Sequence, residues 1–327
     1  MADRDIKPVA IRMPLRGVNN RLDDHELVSK EGTFLRGAAN IDLTAKGHPR
    51  RRAGYAIAQA GTDCHSLWSH PLACACYVDG TTLYRLRTGP TGVSRESVRT
   101  GLAAGLRLSY ARLGDALYYS NGIDKGWVSP DDAAAGWGDM PDSSDIDSPA
   151  HLCREMPAGA IVRAYKTRLL VARGPTLFVS EPGAPMMYRP DRGRIAFLKD
   201  IQLVASLDTG FWVVTDRTFW FGGDVRDTSQ VPVLPYGAVP ATDVADDRRR
   251  VVYWRSTKGL VMGAEDGSVT NIQEEAVFTA SGERGATLLR ESGGMRKLVS
   301  AVSGQEPTSL AAASFMEAEI VRKGVSL

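Results

Sequence analysis

The sequence has no apolar run approaching the ~20 residues that a bilayer-spanning helix requires. Its first residues, MADRDIKPVAIRMP, also lack the apolar core of a secretory signal. We therefore expect no membrane partner and no export signal in this stretch. The net charge is only +2 over 327 residues. So small an excess argues against a protein whose main task is to neutralise nucleic-acid phosphates.

Cysteine is scarce, and its spacing is not that of a small domain held together by disulfides. The four cysteines are Cys64, Cys74, Cys76 and Cys153. We expect synthesis in a reducing compartment. Three of them form, with His65 and His70, the densest group of possible metal ligands. A structural zinc site needs about four converging ligands, and Cys-x-Cys on a strand more often fills a core. We therefore expect packing roles and no metal.

The usual catalytic signatures are missing. There is no Gly-x-Ser-x-Gly elbow, no phosphate-binding loop and no dinucleotide fingerprint. Residues 142–147 lack the glycine and the distal glutamate of a calcium loop. Carboxylates near hairpin ends, Glu181, Asp216, Asp224 and Glu265, also occur in propeller glycosidases, but a turn-forming role is favoured. The sequence predicts a non-enzyme with no catalytic residue and no cofactor.

Short strands with alternating apolar residues, separated by turn residues, are abundant. Five hairpins stand out, over residues 73–86, 107–120, 168–181, 211–222 and 251–264. Asp79-Gly80 supplies the positive φ of a tight turn. Both faces of 211–221 are apolar, which predicts a strand buried on both sides.

The hairpin turns begin near residues 79, 113, 173, 215 and 257, at spacings of about 34, 60, 42 and 42. Repetition near 40 residues with strands throughout is typical of propeller blades. The sequence predicts an all-β, propeller-like ring of about five to six antiparallel blades. A β-sandwich or distorted barrel with similar hairpins is the alternative.

The predicted organisation has three parts. Residues 1–60 form an N-terminal arm and first strands, residues 61–305 the propeller-like body, and residues 306–327 a closing strand. The spacing of about 60 residues between the turns near 113 and 173 includes an Asp-, Ser- and Pro-rich stretch, 127–150. We predict this stretch to be an inserted surface loop. Strand candidates at 8–13 and 315–321 would remove an exposed edge by pairing with each other.

Residues 14–55 carry a pattern that resembles the N-terminal region of phage tail proteins of the nozzle and head-stabilisation type. The matching positions are Gly17, Asn19, Asn20, Ala39, Asn40, Asp42, Gly47, Arg51, Arg52, Gly54 and Tyr55. The C-terminal SFMEAEIVRKG is similar to the ending of such proteins. The resemblance implies a structural virion protein of the tail, made in the host cytoplasm. It implies a ring, commonly a hexamer, next to portal, adaptor or tail proteins, through which genomic DNA leaves the capsid without sequence-specific binding.

The motif also has a local physical interpretation. Asn19 and Asn20 can cap turns with their own side chains. Asn40 and Asp42 share one face of a strand, and the arginines after the Gly turn could pair with Asp23, Asp24 or Asp42. For Arg50, Arg51 and Arg52 we favour a structural or subunit-interface role over DNA contact or a solvated charge run.

Interfaces are predicted to carry the function. The residues predicted to serve interfaces or local structure are Gly17, Asn19, Asn20, Asn40, Asp42, Arg50, Arg51, Arg52, Gly54, Tyr55, Trp127 and Trp137. The two tryptophans are the aromatics expected to be exposed in the inserted loop. Two other functions stay open: a carbohydrate- or receptor-binding propeller at the tail, and a generic propeller scaffold for protein partners.

Overall fold

The regular structure is almost entirely β. The computed structural model describes residues 13–19, 21–23, 25–37, 41–44, 46–51, 57–69, 74–90, 92–142, 144, 149–223, 225, 230–274, 283–292 and 295–303, and the strand at 316–321. Within these ranges the only helical element is a 3-10 turn, Pro149–Leu152.

Two small sheets precede the body. The first has the order β1-β3-β2, with β1 parallel and β2 antiparallel to β3. The second is the antiparallel pair β4-β5. The strands are β1 (Leu15–Val18), β2 (Val28–Ser29), β3 (Gly32–Leu35), β4 (Ile41–Leu43) and β5 (Pro49–Arg51).

Six antiparallel sheets follow, here called blades 1 to 6. Blade 1 contains β6 (Cys64–Trp68), β7 (Ala75–Asp79), β8 (Thr82–Gly89) and β9 (Gly92–Arg99). Blade 2 contains β10 (Ser109–Leu113), β11 (Ala116–Ser120), β12 (Lys125–Val128) and β13 (Ala133–Ala134). Before blade 3 lies β14 (Arg154–Glu155), which pairs with β18 (Met187–Tyr188).

The remaining blades repeat the arrangement. Blade 3 contains β15 (Ile161–Tyr165), β16 (Arg168–Arg173), β17 (Thr176–Val179) and β19 (Arg194–Ala196). Blade 4 contains β20 (Leu203–Ser206), β21 (Gly210–Val214), β22 (Thr218–Gly222) and β23 (Val231–Leu234). Blade 5 contains β24 (Val244–Asp246), β25 (Val251–Ser256), β26 (Gly259–Ala264) and β27 (Val269–Asn271). Blade 6 contains β28 (Arg284–Ser292), β29 (Met295–Ser303) and β30 (Met316–Val321).

The blades pack face to face in chain order. The first strands β10, β15, β20, β24 and β28 contact one another in that sequence. A separate apolar cluster fills each successive interface, from blades 1 and 2 through to blades 5 and 6. Each blade buries two faces only because it has neighbours, as repeat architectures require. The fold is therefore all-β and propeller-like, as the spacing of the hairpins predicts.

All five predicted hairpins are present, and local chemistry accounts for them. Asp79 pairs with Thr82, and Gly80 between them has φ +62°, a conformation that glycine adopts without steric cost. Strand β21 is buried at every residue, which confirms the prediction of a strand apolar on both faces.

The irregular hairpin spacing comes from a shift of phase in blade 2. The predicted hairpin there joins the first and second strands, β10 and β11, whereas in the other four blades it joins the second and third. The equivalent turn in blade 2 contains Gly122, which lies 42 residues after Gly80 and 52 before Gly174. The spacing of equivalent turns is thus more regular than the spacing of the predicted hairpins, and the insertion between blades 2 and 3 is shorter than predicted.

The prediction that residues 127–150 form an inserted surface loop is wrong for its first part. Strands β12 and β13 complete blade 2 there. Trp137 is 2% exposed, and its indole N–H donates to the Gly126 carbonyl at 2.9 Å. Trp127 lies on β12, opposite Tyr118, and is half-buried. Neither tryptophan is an exposed loop aromatic, because both pack against blade 2.

Several predicted features lie outside the described residues. Among the predicted interface positions these are Asn20, Asn40, Arg52, Gly54 and Tyr55. Most of the N-terminal strand candidate at 8–13 is also outside. A strand forms within the predicted C-terminal candidate, where β30 pairs antiparallel with β29, and its pairing with an N-terminal strand stays a prediction.

Candidate functional site: a charged cleft on one face of the blades

A cleft with a volume of about 500 Å³ lies on one face of the blades. It lies where four turns meet, each following the first strand of blade 2, 3, 4 or 5, and the turn after β26 adds Glu265. Its lining residues are Arg112, Leu113, Gly114, Ala164, Lys166, Ser206, Leu207, Asp208, Asp247, Arg250 and Glu265. The contributing turns are far apart in sequence, and only the ordering of the blades brings them together.

The cleft carries charges of both signs. Arg250 pairs with Glu265 at 2.8 Å. The other charged groups have no ion pair among the described residues. Asp208 and Asp247 are exposed at their turns, and Arg112 uses its Nε–H only to donate to the Gly114 carbonyl at 3.1 Å. These unpaired charges are available to a polar partner.

Two cationic residues of the cleft have an uncommon backbone conformation. Lys166 and Arg250 have φ of +52° and +54°, a region that non-glycine residues rarely occupy. Lys166 Nζ donates to the Gly223 carbonyl at 3.0 Å, so its aliphatic chain crosses from blade 3 to blade 4. Backbone strain of this kind persists only where surrounding structure enforces it, and it is common at functional sites.

One guanidinium links three blades. Arg163 on β15 donates through Nε to Asp243 Oδ2 at 2.6 Å, and through Nη1 to Ser109 Oγ at 2.8 Å. The three residues belong to blade 3, to the loop entering blade 5, and to blade 2.

A second arginine, Arg107, lies before β10. Its Nη1 donates to the Gly285 carbonyl of blade 6 at 2.9 Å. Burial, together with the nearby Arg284 guanidinium, lowers the pKa of Arg107. Arg107 therefore joins the loop entering blade 2 to the first strand of blade 6.

The predicted interface residues of the N-terminal motif that the structure describes do not line the cleft. Asn19 caps its turn as expected: its Oδ1 accepts from the backbone N–H of Arg21 at 3.1 Å and of Leu22 at 3.2 Å. Gly17 has φ +118°, which explains the glycine. Arg50 and Arg51 on β5 are exposed.

The predicted pairing of Arg51 or Arg52 with Asp23, Asp24 or Asp42 stays a prediction, because Asp24 and Arg52 lie outside the described residues. Asp42 forms an ion pair with Lys297 Nζ of blade 6 at 3.3 Å. In the β4-β5 register Asp42 stands opposite Arg50, and Arg51 stands opposite Ile41. The N-terminal hairpin is thus held against the last blade.

Of the cleft residues, sequence reasoning considered only Glu265, and assigned it to a turn. Glu265 does lie in the turn after β26, but it also holds Arg250. The remaining cleft residues belong to no sequence motif. What they share is a charged residue at or just after the end of the first strand of blades 2 to 5. This pattern is recognised only when equivalent strands of the blades are aligned.

Comparison with known proteins gives the fold alone. No protein-family model and no curated protein matches the chain. Among solved structures, it is similar to the extracellular domain of the putative hybrid two component system BT4673 from B. thetaiotaomicron. The identity is 12%, the TM-score is 0.48, and the match covers 80% of this chain and 33% of that one.

Two further solved structures match over more of their own length. The chain is similar to BBS1N in complex with ARL6DN at 11% identity and a TM-score of 0.48, covering 80% of this chain and 78% of that one. It is similar to the WD40 β-propeller domain of Doa1 at 10% identity and a TM-score of 0.43, covering 74% and 79%. The chain spans about a third of the BT4673 domains. The assignment of the fold rests on the blades themselves, which make this chain β-propeller-like.

Proposed function

We propose that this protein is a non-enzymatic, propeller-like interaction subunit that binds a protein partner at the charged cleft. The observation that carries the proposal is the set of unpaired charges of both signs where the turns of blades 2 to 5 meet. Pockets for small molecules are mostly apolar with few polar groups. A lining of exposed lysine, arginine and aspartate is suited to the charged rim of a protein surface, where complementarity sets orientation and specificity.

The test uses a photo-crosslinking amino acid at position 208 in the cleft, in the cells that make the protein. Position 199 is the matched control, because Lys199 is exposed and does not line the cleft. We expect a discrete crosslinked product from position 208, and its loss when Arg112→Glu and Lys166→Glu are added. Equal crosslinking from both positions, or insensitivity to the charge reversals, would overturn the proposal.

A second candidate is a subunit of a phage tail ring, favoured by the N-terminal motif. Its supporting observation is that the motif's Asp42 is joined to Lys297 of blade 6 at 3.3 Å, which leaves the basic strand β5 exposed for a neighbouring subunit. In this candidate DNA passes between several copies of the chain, and the residues facing it come from the outside of the blades.

The two candidates differ in what they require of the assembly. For the tail ring we expect a particle of several copies, commonly six, and an antibody against this chain that marks the capsid–tail junction in negative-stain images. Labelling at fibre tips would support the receptor-binding alternative. A monomer at all concentrations, with no label on particles, would contradict the tail role and leave the cleft proposal standing.

A further inference from the structure

Two thiols lie side by side in the core between blades 1 and 2. Cys74 immediately precedes β7, and Cys76 is the second residue of that strand. Side chains two residues apart on an extended chain project to the same side, and the two Sγ atoms are 3.6 Å apart. Cys76 is fully buried, whereas Cys74 is 8% exposed. Cys74 is therefore the less buried of the two thiols.

The surroundings favour one thiolate beside one thiol. Arg85 stands opposite Cys76 in the β7-β8 register. A hydrogen bond from Cys76, opposed by burial and assisted by Arg85, lowers the pKa of Cys74 to about 7. The hydrogen bond to Cys74, together with burial, raises the pKa of Cys76. A thiolate is the nucleophilic form of cysteine.

Tyr110 belongs to the same core cluster as the two cysteines. Its hydroxyl is buried and has no hydrogen-bond partner in the described part of the chain, which is unusual in a folded protein. Burial raises the pKa of Tyr110, and the charges of both cysteines add to the effect.

Two ordinary fates of a thiol pair do not suit this geometry. A disulfide requires sulfurs about 2.05 Å apart, and alternate residues of a strand have Cα atoms about 6.6 Å apart, near the upper limit that a disulfide spans. A structural zinc site needs four ligands, and no group of three His, Cys, Asp or Glu side chains converges among the described residues.

We propose that Cys74 and Cys76 form a chelating dithiol site for a trivalent arsenical. Two sulfurs bonded at about 2.3 Å to one atom, at the angle of about 95–100° that a three-coordinate atom with a lone pair adopts, are about 3.4–3.5 Å apart, close to the observed 3.6 Å. Trivalent arsenic is thiophilic and three-coordinate. With an aryl group as its third substituent it needs only two protein ligands, which is what this site offers.

The reaction is a condensation without a change of oxidation state. An aryl arsenous acid, ArAs(OH)₂, loses two As–O bonds and gains two As–S bonds. The two thiol protons leave with the hydroxides as two molecules of water, and arsenic stays trivalent. The Cys74 sulfur forms the first bond, because it is the more exposed of the pair. The second bond, to Cys76, is intramolecular and therefore strongly favoured.

The experiment treats the full-length native protein with phenylarsine oxide, which hydrates to the aryl arsenous acid. Excess monothiol is then used to remove singly attached reagent, and intact mass is recorded. We expect one aryl-arsenic group per chain, with loss of two thiol hydrogens, released by a dithiol. Cys74→Ser and Cys76→Ser should each reduce the monothiol-resistant adduct about tenfold or more. Cys64→Ser and Cys153→Ser should retain it.

Two results would overturn the proposal. One is an adduct that persists in Cys74→Ser. The other is an adduct that forms only after the protein is unfolded in urea, which would show that the folded pair is not a site. Should Cys76→Ser fail to fold, Cys74→Ser decides alone, because Cys74 precedes the strand and is the less buried of the two.

Discussion

Arg163 and Asp243 join two blades that are not neighbours. The guanidinium on β15 and the carboxylate before β24 form a two-point ion pair that passes blade 4 on its inner side. Both side chains are largely buried, with exposures of 20% and 9%. Guanidinium–carboxylate pairs of this kind fix geometry as well as energy, so the pair sets the relative position of blades 3 and 5.

We predict that Asp243→Asn destabilises the protein by about 3 kcal/mol, because removing one partner leaves a buried, unpaired charge. Urea unfolding at constant pH measures the loss. The control is Asp191→Asn, whose pair with Arg189 at 2.7 Å is on the surface and should contribute less than about 1 kcal/mol. Equal losses of stability from the two substitutions would show that the Arg163–Asp243 pair contributes no more than a surface pair.

The N-terminal hairpin should loosen when its contact with blade 6 is removed. Lys297→Met keeps an unbranched chain, one atom shorter, in place of a side chain that is 8% exposed, but it removes the ion pair with Asp42. Opening of β4-β5 should become easier by about 1–2 kcal/mol. Limited trypsin digestion would then cut after the exposed Arg50 and Arg51 roughly tenfold faster. An unchanged cleavage rate would mean that other contacts hold the hairpin.

Asp124 should make stability depend on pH. Burial alone would raise its pKa, but hydrogen bonds from the Ala103 N–H and the Asn121 amide, and the charge of Arg99, lower it overall. The stabilisation is present above the unfolded-state pKa, near 4, and is lost as pH falls through the lower folded-state pKa.

Asp124→Asn tests this directly. We expect urea midpoints lower than those of the unsubstituted protein at pH 7, with the difference shrinking as the pH falls below about 4. The control is Asp115→Asn, in the exposed turn between β10 and β11, which should change neither the midpoint nor its pH dependence. A difference that is constant from pH 7 to pH 3 would contradict the prediction.

Trp137 should act on folding and not on binding. Trp137→Ala removes a ring that is 2% exposed, packed edge-on against Tyr118, and we expect a loss of about 3–5 kcal/mol. Trp127→Ala, at a half-buried position, should cost less. The two midpoints from urea unfolding can be compared directly. A stable Trp137→Ala variant would restore the view that this segment is a loop free to contact a partner.

The cleft and the Arg163–Asp243 ion pair could not be predicted from the sequence. Asp208 and Asp247 are separated by 39 residues, and each alone is an ordinary turn residue. Nothing in local pattern records that their turns meet, because neighbouring blades are joined by side-chain packing and not by hydrogen-bonded ladders that would show as alternation. For the same reason the burial of Trp137 was not predicted, because the polar residues near it in the sequence suggested a loop.

What the sequence determined by itself is the set of hairpins and their chemistry. Alternating apolar residues commit each strand to two faces, and residues such as Gly80 fix the turns, since these are effects of neighbours along the chain. The Asn19 cap belongs to the same class. Tertiary structure alone decided the phase of blade 2, the ion pair between Asp42 and Lys297, and the assembly of the cleft. Each of these depends on which blade packs against which, and that choice is made by burial of apolar surface over distances in sequence that no local pattern spans.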